Sequence, residues 1–191
     1  MIQLKLITAS TREGRKGPTV SAWVLELLKQ YQDIEVEHLD LKVINLPFMD
    51  EPHHPRLGKY THEHTKRWSR TIAAADAFIF VTPEYNYGFP ATLKNAIDYL
   101  FQEWQYKPVG LVSYGGIAAG TRCIQLLKPV LSALKMVAVT ESVNIPFFTK
   151  YINEDERFVS DESLDRAAHA MIAELIKWHG ALSTIRASSM H

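Results

Sequence analysis

The chain of 191 residues has one cysteine, Cys123, so it cannot form an internal disulfide, and zinc spacings such as CxxC are excluded. A reducing cytosol is the expected setting. Neither sign of charge is in excess: 21 Lys and Arg match 21 Asp and Glu, which leaves no long-range attraction for nucleic acid or anionic lipid. Long apolar runs are also missing. None reaches the ~18 residues of a bilayer span, and the opening MIQLKLI is too short for the apolar part of a secretion signal. The expectation is a cytoplasmic protein with no nucleic-acid and no membrane partner. The remaining composition is ordinary for a globular chain, 47% apolar and 22% charged, and this length can bury a core without disulfides or structural metal. A single domain over 1–191 is the simplest organisation.

Periodicity supplies the elements. Residues 2–8, IQLKLIT, alternate like a strand and stop at the polar run 9–17; Val20, Trp23, Val24, Leu27 and Leu28 then repeat at helical spacing behind Pro18. With IEVEHLDL at 34–41 this makes a βαβ unit, whose right-handed crossover implies a parallel pair. Residues 42–60 show no period and read as a long surface loop. A helix carrying Trp68, Ile72 and Ala75 leads to the continuous apolar run AFIFV at 77–81, as expected of a central parallel strand. Leu93, Ala96, Ile97, Leu100 and Phe101 form the next helical stripe, and PVGLVSY at 108–114 the next strand. In the helix over 120–135, Pro129 is expected to kink it or divide it in two. Residues 136–139 read as a short fifth strand. The closing helix carries Leu164, Ala168, Met171, Leu175, Trp178 and Leu182 on one stripe, with Ser160 or Asp161 as N-cap. Five strands alternating with helices indicate a doubly wound α/β domain, a parallel sheet between two helical layers.

In such sheets ligands bind beyond the carboxyl ends of the strands, and three loops there have unusual composition: 9–19, 82–90 and 113–121. The first combines hydroxyls, glycines and three cations just before a helix N-terminus, a setting that suits a phosphate. It is neither a P-loop nor the GxGxxG fingerprint, and the bland alternative is a solvated basic turn. The second holds Glu84, Tyr85, Asn86 and Tyr87 between two prolines; it suits a planar ring, or is simply a rigid turn with aromatic packing. Gly115 and Gly116 lack β-carbons and would let a flat ligand approach the backbone.

The string Thr82-Pro83-Glu84-Tyr85-Asn86-Tyr87-Gly88-Phe89-Pro90-Ala91-Thr92-Leu93-Lys94-Asn95-Ala96-Ile97-Asp98 resembles the PEYN…P…LKNAID motif of the NAD(P)H-dependent FMN reductases, flavodoxin-like proteins that include quinone, azo-dye and chromate reductases. The loop from Ser10 to Arg15 is similar to that family's phosphate loop, and Ser113-Tyr114-Gly115-Gly116 to its second flavin-contacting turn, in the same order over residues 1 to about 140. Ala9 and Ala91 stand where the family often has glycine. The resemblance implies a flavodoxin-like fold and a non-covalent FMN. Ser10, Arg12 and Thr19 would hold its phosphate with help from Arg15, while Gly17 and Pro18 shape the loop. Pro83, Glu84, Tyr85, Asn86 and Gly88 would line the ring, and Ser113, Gly115 and Gly116 would meet its pyrimidine edge. It also implies ping-pong hydride transfer from NAD(P)H to FMN and on to quinones, similar small acceptors or free flavin, in a homodimer or homotetramer. No catalytic side chain is required, because the cofactor carries the redox chemistry. Phe101, Trp104 and Leu131 are expected to cover a neighbouring subunit's flavin site, and Trp104 and Tyr106 to border the mouth of their own. The alternatives are a flavodoxin-type single-electron carrier, though such carriers tend to be acidic for docking, and a redox-sensing module without turnover.

His53, His54, His62 and His64 fall close together without a carboxylate or cysteine that completes a definite ligand pattern, so no metal is assigned. Cys123 lies within a helical pattern and reads as a buried small residue, and no CxxxxxR phosphatase loop follows it. Trp23, Trp68 and Trp178 read as core or interface residues.

Overall fold

The computed structural model describes residues 1–188. Five parallel strands, β1 (Ile2–Thr8), β2 (Ile34–Asp40), β3 (Ala77–Pro83), β4 (Pro108–Tyr114) and β5 (Val137–Ile145), form one sheet in the order β2-β1-β3-β4-β5. This is the flavodoxin-like order, and its switch point lies between β1 and β3. Alternation in the strands divides the core into two layers. Phe78 and Phe80 face the helices α3 (Glu63–Ala73), α4 (Ala91–Asp98) and α5 (Thr121–Ala133), whereas Ile79 and Val81 face α1 (Gly17–Leu28) and α6 (Glu162–Ser188). A short helix, α2 (Leu41–Ile44), follows β2 directly, and Asp40 accepts from Lys42 N at its start.

The expected elements are present, with three corrections. Pro129 does not divide α5, which runs as one helix from Thr121 to Ala133. The missing amide falls near the helix C-terminus, and burial of Cys123, Ile124, Leu127 and Leu131 against the sheet offsets the lost bond. Strand β5 continues to Ile145, well past Val139. A register shift between Val109 and Leu111 accommodates the polar residues of the partner strand β5, so Val143 and Ile145 still reach the core. Trp178 is exposed, while Trp23 and Trp68 are core residues. Asp161 rather than Ser160 caps α6, accepting from Leu164 N at 2.9 Å. A β-carbon at Gly110 would sit 2.8 Å from Met171 Sδ and 3.0 Å from Leu175 Cδ1 of α6, so those side chains pack directly on the bare backbone of β4.

Candidate active site

The strands deliver three loops to one edge of the sheet. Each leaves its strand with a further ladder bond: Ala9 N to Val81 O, Glu84 N to Tyr114 O, and Gly115 N to Ile145 O. A cavity of about 220 Å³ lies between them, walled by Arg12, Arg15, Lys16, Pro83, Glu84, Tyr85, Tyr114, Gly115, Gly116 and Phe148.

In the first loop the two arginines differ. Arg15 is spent: Nη1 and Nη2 each lie 2.6 Å from an Asp40 carboxylate oxygen, and Nη1 also donates to Ser10 O at 2.6 Å. The Asp40 bonds raise the Arg15 pKa further. Burial pushes the Asp40 carboxyl up, but its bonds to Arg15 and Lys42 N outweigh this and hold it below the usual carboxylate range. Arg12 is exposed and donates only to Glu13 O, without a carboxylate partner among the described residues. Lys16 pairs with Glu156. Ser10 is wholly buried, and its Oγ faces the Tyr114 hydroxyl across Gly17 with no other partner. Gly17 stands against it, and a β-carbon there would fall 2.2 Å from that oxygen, so only glycine lets α1 begin this close to the loop. No side chain caps the first amides of α1. Pro18 and Thr19 face a separate groove beside Trp23 and Phe158, and Thr19 Oγ1 donates to Lys16 O. Behind the loop, Thr8 Oγ1 contacts Ser21 Oγ at 2.5 Å and His38 Nε2 at 2.8 Å, and burial lowers the His38 pKa.

The second loop is a two-residue hairpin. Tyr85 and Gly88 exchange both backbone bonds, and Asn86 (φ 48°) and Tyr87 (φ 71°) both lie in the left-handed region, as a type I′ turn demands. Asparagine tolerates that region and tyrosine seldom does. Tyr87 is held by Arg122, whose guanidinium lies 3.9 Å from its ring centre. Glu84 is turned inward: Oε1 pairs with Arg122 at 2.8 Å and Oε2 accepts from Arg122 N and Cys123 N, the first turn of α5. Its carboxylate therefore fastens the loop to α5, and it meets the cavity only from the side.

In the third loop Ser113 Oγ is buried, 2.8 Å from Ala119 O and 2.9 Å from Asn144 Oδ1. Gly116 faces open space, while Gly115 backs onto Gly120 N. Tyr114 packs edge-on against Phe148 with ring centres 4.9 Å apart, and burial raises its phenol pKa well above the ordinary value. Tyr114, Lys16 and Phe148 belong to the wall although the sequence reading did not assign them. The polar residues Thr140, Glu141, Ser142 and Asn144 interrupt the apolar pattern of β5 and hide in the sequence that Phe147 and Phe148 follow a strand's carboxyl end.

The expectations for the mouth of the site and for a neighbour's cover fail. Trp104 is fully buried among Trp68, Phe78 and Phe80, and both it and Tyr106 precede β4, at the sheet edge opposite the site. Leu131 is likewise buried, so neither Trp104 nor Leu131 can reach a neighbour, and α4 ends at Asp98 before Phe101. Ala9 and Ala91 are absent from the positive-φ residues, so neither strains its turn. His64 bonds Asp50 at 2.9 Å and stacks on His62, and among the described residues no group of three His, Cys, Asp or Glu is placed to hold a metal ion. Cys123 donates Sγ–H to Gly120 O, and burial pushes its thiol up to about 12.

An open sheet in this strand order, with a basic loop, a rigid aromatic hairpin and a glycine pair around one cavity, defines a flavodoxin-like nucleotide-binding protein. The model of the NADPH-dependent FMN reductases matches residues 2–150, and the chain belongs to that family. It is 41% identical over 186 residues to an NAD(P)H-dependent FMN reductase of Schizosaccharomyces pombe, covering 96% of this chain and 90% of the relative. It is 28% identical over 166 residues to an NAD(P)H:quinone oxidoreductase of Solanum tuberosum, covering 84% and 81%. The solved structure of FerB, a flavoenzyme NAD(P)H:(acceptor) oxidoreductase from Paracoccus denitrificans, shares the fold with a TM-score of 0.76 at 19% identity, covering 95% of this chain and 98% of that one. The protein is thus an oxidoreductase with FMN as cofactor and NAD(P)H as co-substrate. The site fits that cofactor: the buried Ser10 hydroxyl has no partner besides Tyr114, the first amides of α1 are uncapped by side chains, Arg12 is an unpaired cation, and Gly116 leaves its approach open.

Proposed function

We propose that the enzyme uses NAD(P)H to reduce quinones or similar small electron acceptors at the cavity between the three loops. The observation that carries this reading is the convergence of Arg12, Tyr85 and Gly116, from three separate loops, on one wall. Bound FMN supplies the redox chemistry. Arg12, the α1 amides and the Ser10 hydroxyl bind its phosphate, and Arg15 acts from behind by bracing the loop on Asp40. The hairpin backbone from Pro83 to Gly88 and the Gly115-Gly116 turn flank the ring, and Tyr114 and Phe148 exclude water from one side. Thr19, Pro18 and Ser113 contribute through loop and turn geometry. No side chain in the cavity needs to move a proton. We further propose that the active form is a cytoplasmic homodimer or homotetramer.

A single-electron carrier is disfavoured by the absence of net negative charge and by the reductase relatives. Steady-state NAD(P)H oxidation with a quinone acceptor tests the proposal: turnover by a yellow protein that releases FMN on denaturation is the expected result. A colourless protein that takes up no added FMN, or a yellow one that leaves NAD(P)H unoxidised whatever quinone is supplied, would refute it.

A further inference from the structure

At the opposite, amino edge of the sheet lies a larger cavity, of about 700 Å³, where α3, the 99–107 connection and the last turns of α6 meet. Lys107 stands in its wall and is only 5% exposed. Its Nζ lies 2.8 Å from Ile72 O and 3.0 Å from Ala73 O, so two of its three N–H groups go to neutral carbonyls at the end of α3. Among the described residues no carboxylate comes within ion-pair distance. Asp76 is taken by Arg186 (3.1 Å) and by Gln3 N (3.0 Å), and Lys5 by Glu37. Glu103, in the same wall, accepts from Ser69 Oγ, Tyr60 OH and Phe101 N.

A buried charge is costly unless it is paired, and among the described residues no carboxylate pairs directly with this ammonium, whose side chain forms part of the cavity wall and whose Nζ also lies 5.8 Å from the centre of the Phe78 ring. The surroundings favour an anion with an apolar body. Arg186, paired with Asp76, is a second cation in the wall, Glu103 is a carboxylate there whose oxygens face Ser69, Tyr60 and Phe101 N, and the Phe101 and Tyr106 rings supply apolar surface; outside the wall Arg56 lies 4.7 Å over the Phe101 ring and Lys135 5.3 Å over the Tyr106 ring. Tyr106 itself is held at φ 56°, a conformation rare for a bulky residue, by its amide bond to Lys135 O and by Arg186 on its carbonyl. We propose that this cavity is a second ligand site, separate from the flavin site, that takes a small planar carboxylate. Its oxygens accept the remaining Lys107 N–H, and its ring lies against Phe101 and Tyr106.

The inference predicts a proton linkage. Burial, helped by Arg186 and Lys5 and opposed by Asp76 and Glu103, brings the Lys107 ammonium down to about 8. An anion that stabilises the charged form therefore takes up protons on binding near that pH, and its affinity falls as pH rises further.

Calorimetric titration of the FMN-loaded enzyme with benzoate and with its neutral isostere benzamide, at pH 8 in two buffers of different ionisation enthalpy, tests this. Benzoate is expected to bind with proton uptake and benzamide about tenfold more weakly or not at all, as expected for a lost charged hydrogen bond. Lys107→Met should lose benzoate by a similar factor, with FMN content and the rate of NAD(P)H oxidation unchanged. The proposal is overturned if benzoate does not bind, if benzamide binds equally well, or if binding takes up no proton. It is equally overturned if benzoate perturbs the flavin spectrum and Lys107→Met binds it as wild type does, since the ligand then sits at the flavin site. Should the variant fail to fold, proton uptake by the wild type together with the benzamide comparison decides.

Discussion

Arg12 and Arg15 are three residues apart in one loop, yet only Arg12 is free to meet a ligand. A hydrogen bond to a charged group contributes about 1.5 to 3 kcal/mol, so Arg12→Ala should weaken FMN roughly 10- to 150-fold. Riboflavin, with the same ring and no phosphate, should be almost unaffected. Titration of apoprotein by flavin fluorescence measures both, and equal losses for the two flavins would show that Arg12 supports the loop instead. Arg15 is tested through its partner. Both side chains of the Arg15–Asp40 pair are nearly buried, 12% and 14% exposed, and breaking such a pair costs up to about 3 to 5 kcal/mol. Because the Asp40 pKa is lower folded than unfolded, its stabilisation is fully present above the ordinary carboxylate pKa and is lost as pH falls through the folded value. Asp40→Asn should therefore be less stable than wild type at neutral pH, and urea unfolding should show the two converging in acid. The loop's composition marked both arginines as cations near a phosphate site; what separates them is a carboxylate 25 positions away at the end of β2, a pairing that no local pattern reveals.

Among the elements, those with clean periods were legible. β1, β3 and β4 match their apolar patterns, because a strand covered on both faces has little choice of residue. Strand β5 was legible only in part: it lies at the sheet edge and carries polar residues through an irregular register, which interrupts the alternation a reader relies on. The unbroken α5 shows tertiary packing overriding a local rule. Pro129 is exposed, so replacing it should disturb little packing and restore a backbone donor within the helix. Pro129→Ala is expected to stabilise the protein by about 1 to 2 kcal/mol, less than the ~3 kcal/mol of a free helix interior, because α5 has already settled against the sheet with its proline in place. A raised urea midpoint at unchanged slope would bear this out, whereas a lowered one would mean that the proline's fixed backbone angle supports the packing of α5.

For the whole molecule the open question is what covers the carboxyl edge. Trp104 and Leu131, expected to meet a neighbour, are inside the core, but large apolar side chains are exposed on segments that follow the carboxyl ends of the strands. Phe48 is 83% exposed on the segment after α2, a segment fixed in place where Asn95 of α4 bonds Pro47 O and Met49 N. Ile117 is 81% exposed on the loop after β4, and Tyr87 and Phe147 are exposed on the loops after β3 and β5. Exposed apolar groups clustered on one face of a protein mark an association surface, and a second copy of the same chain is the commonest partner in closed symmetric assemblies. Sedimentation velocity at micromolar concentration should therefore show a species heavier than 21.7 kDa, and Phe48→Ser should shift it toward the monomer without loss of secondary structure. The variant also separates two roles for this edge. If a second subunit completes the site, quinone turnover should fall as the assembly dissociates and should recover at high protein concentration. If each subunit is complete alone, turnover per flavin should stay constant across the dilution series. A wild-type protein that sediments only at 21.7 kDa would leave these apolar groups to the electron acceptor itself, whose ring would then be held by Tyr87, Ile117 and Phe147 at the mouth of a single chain.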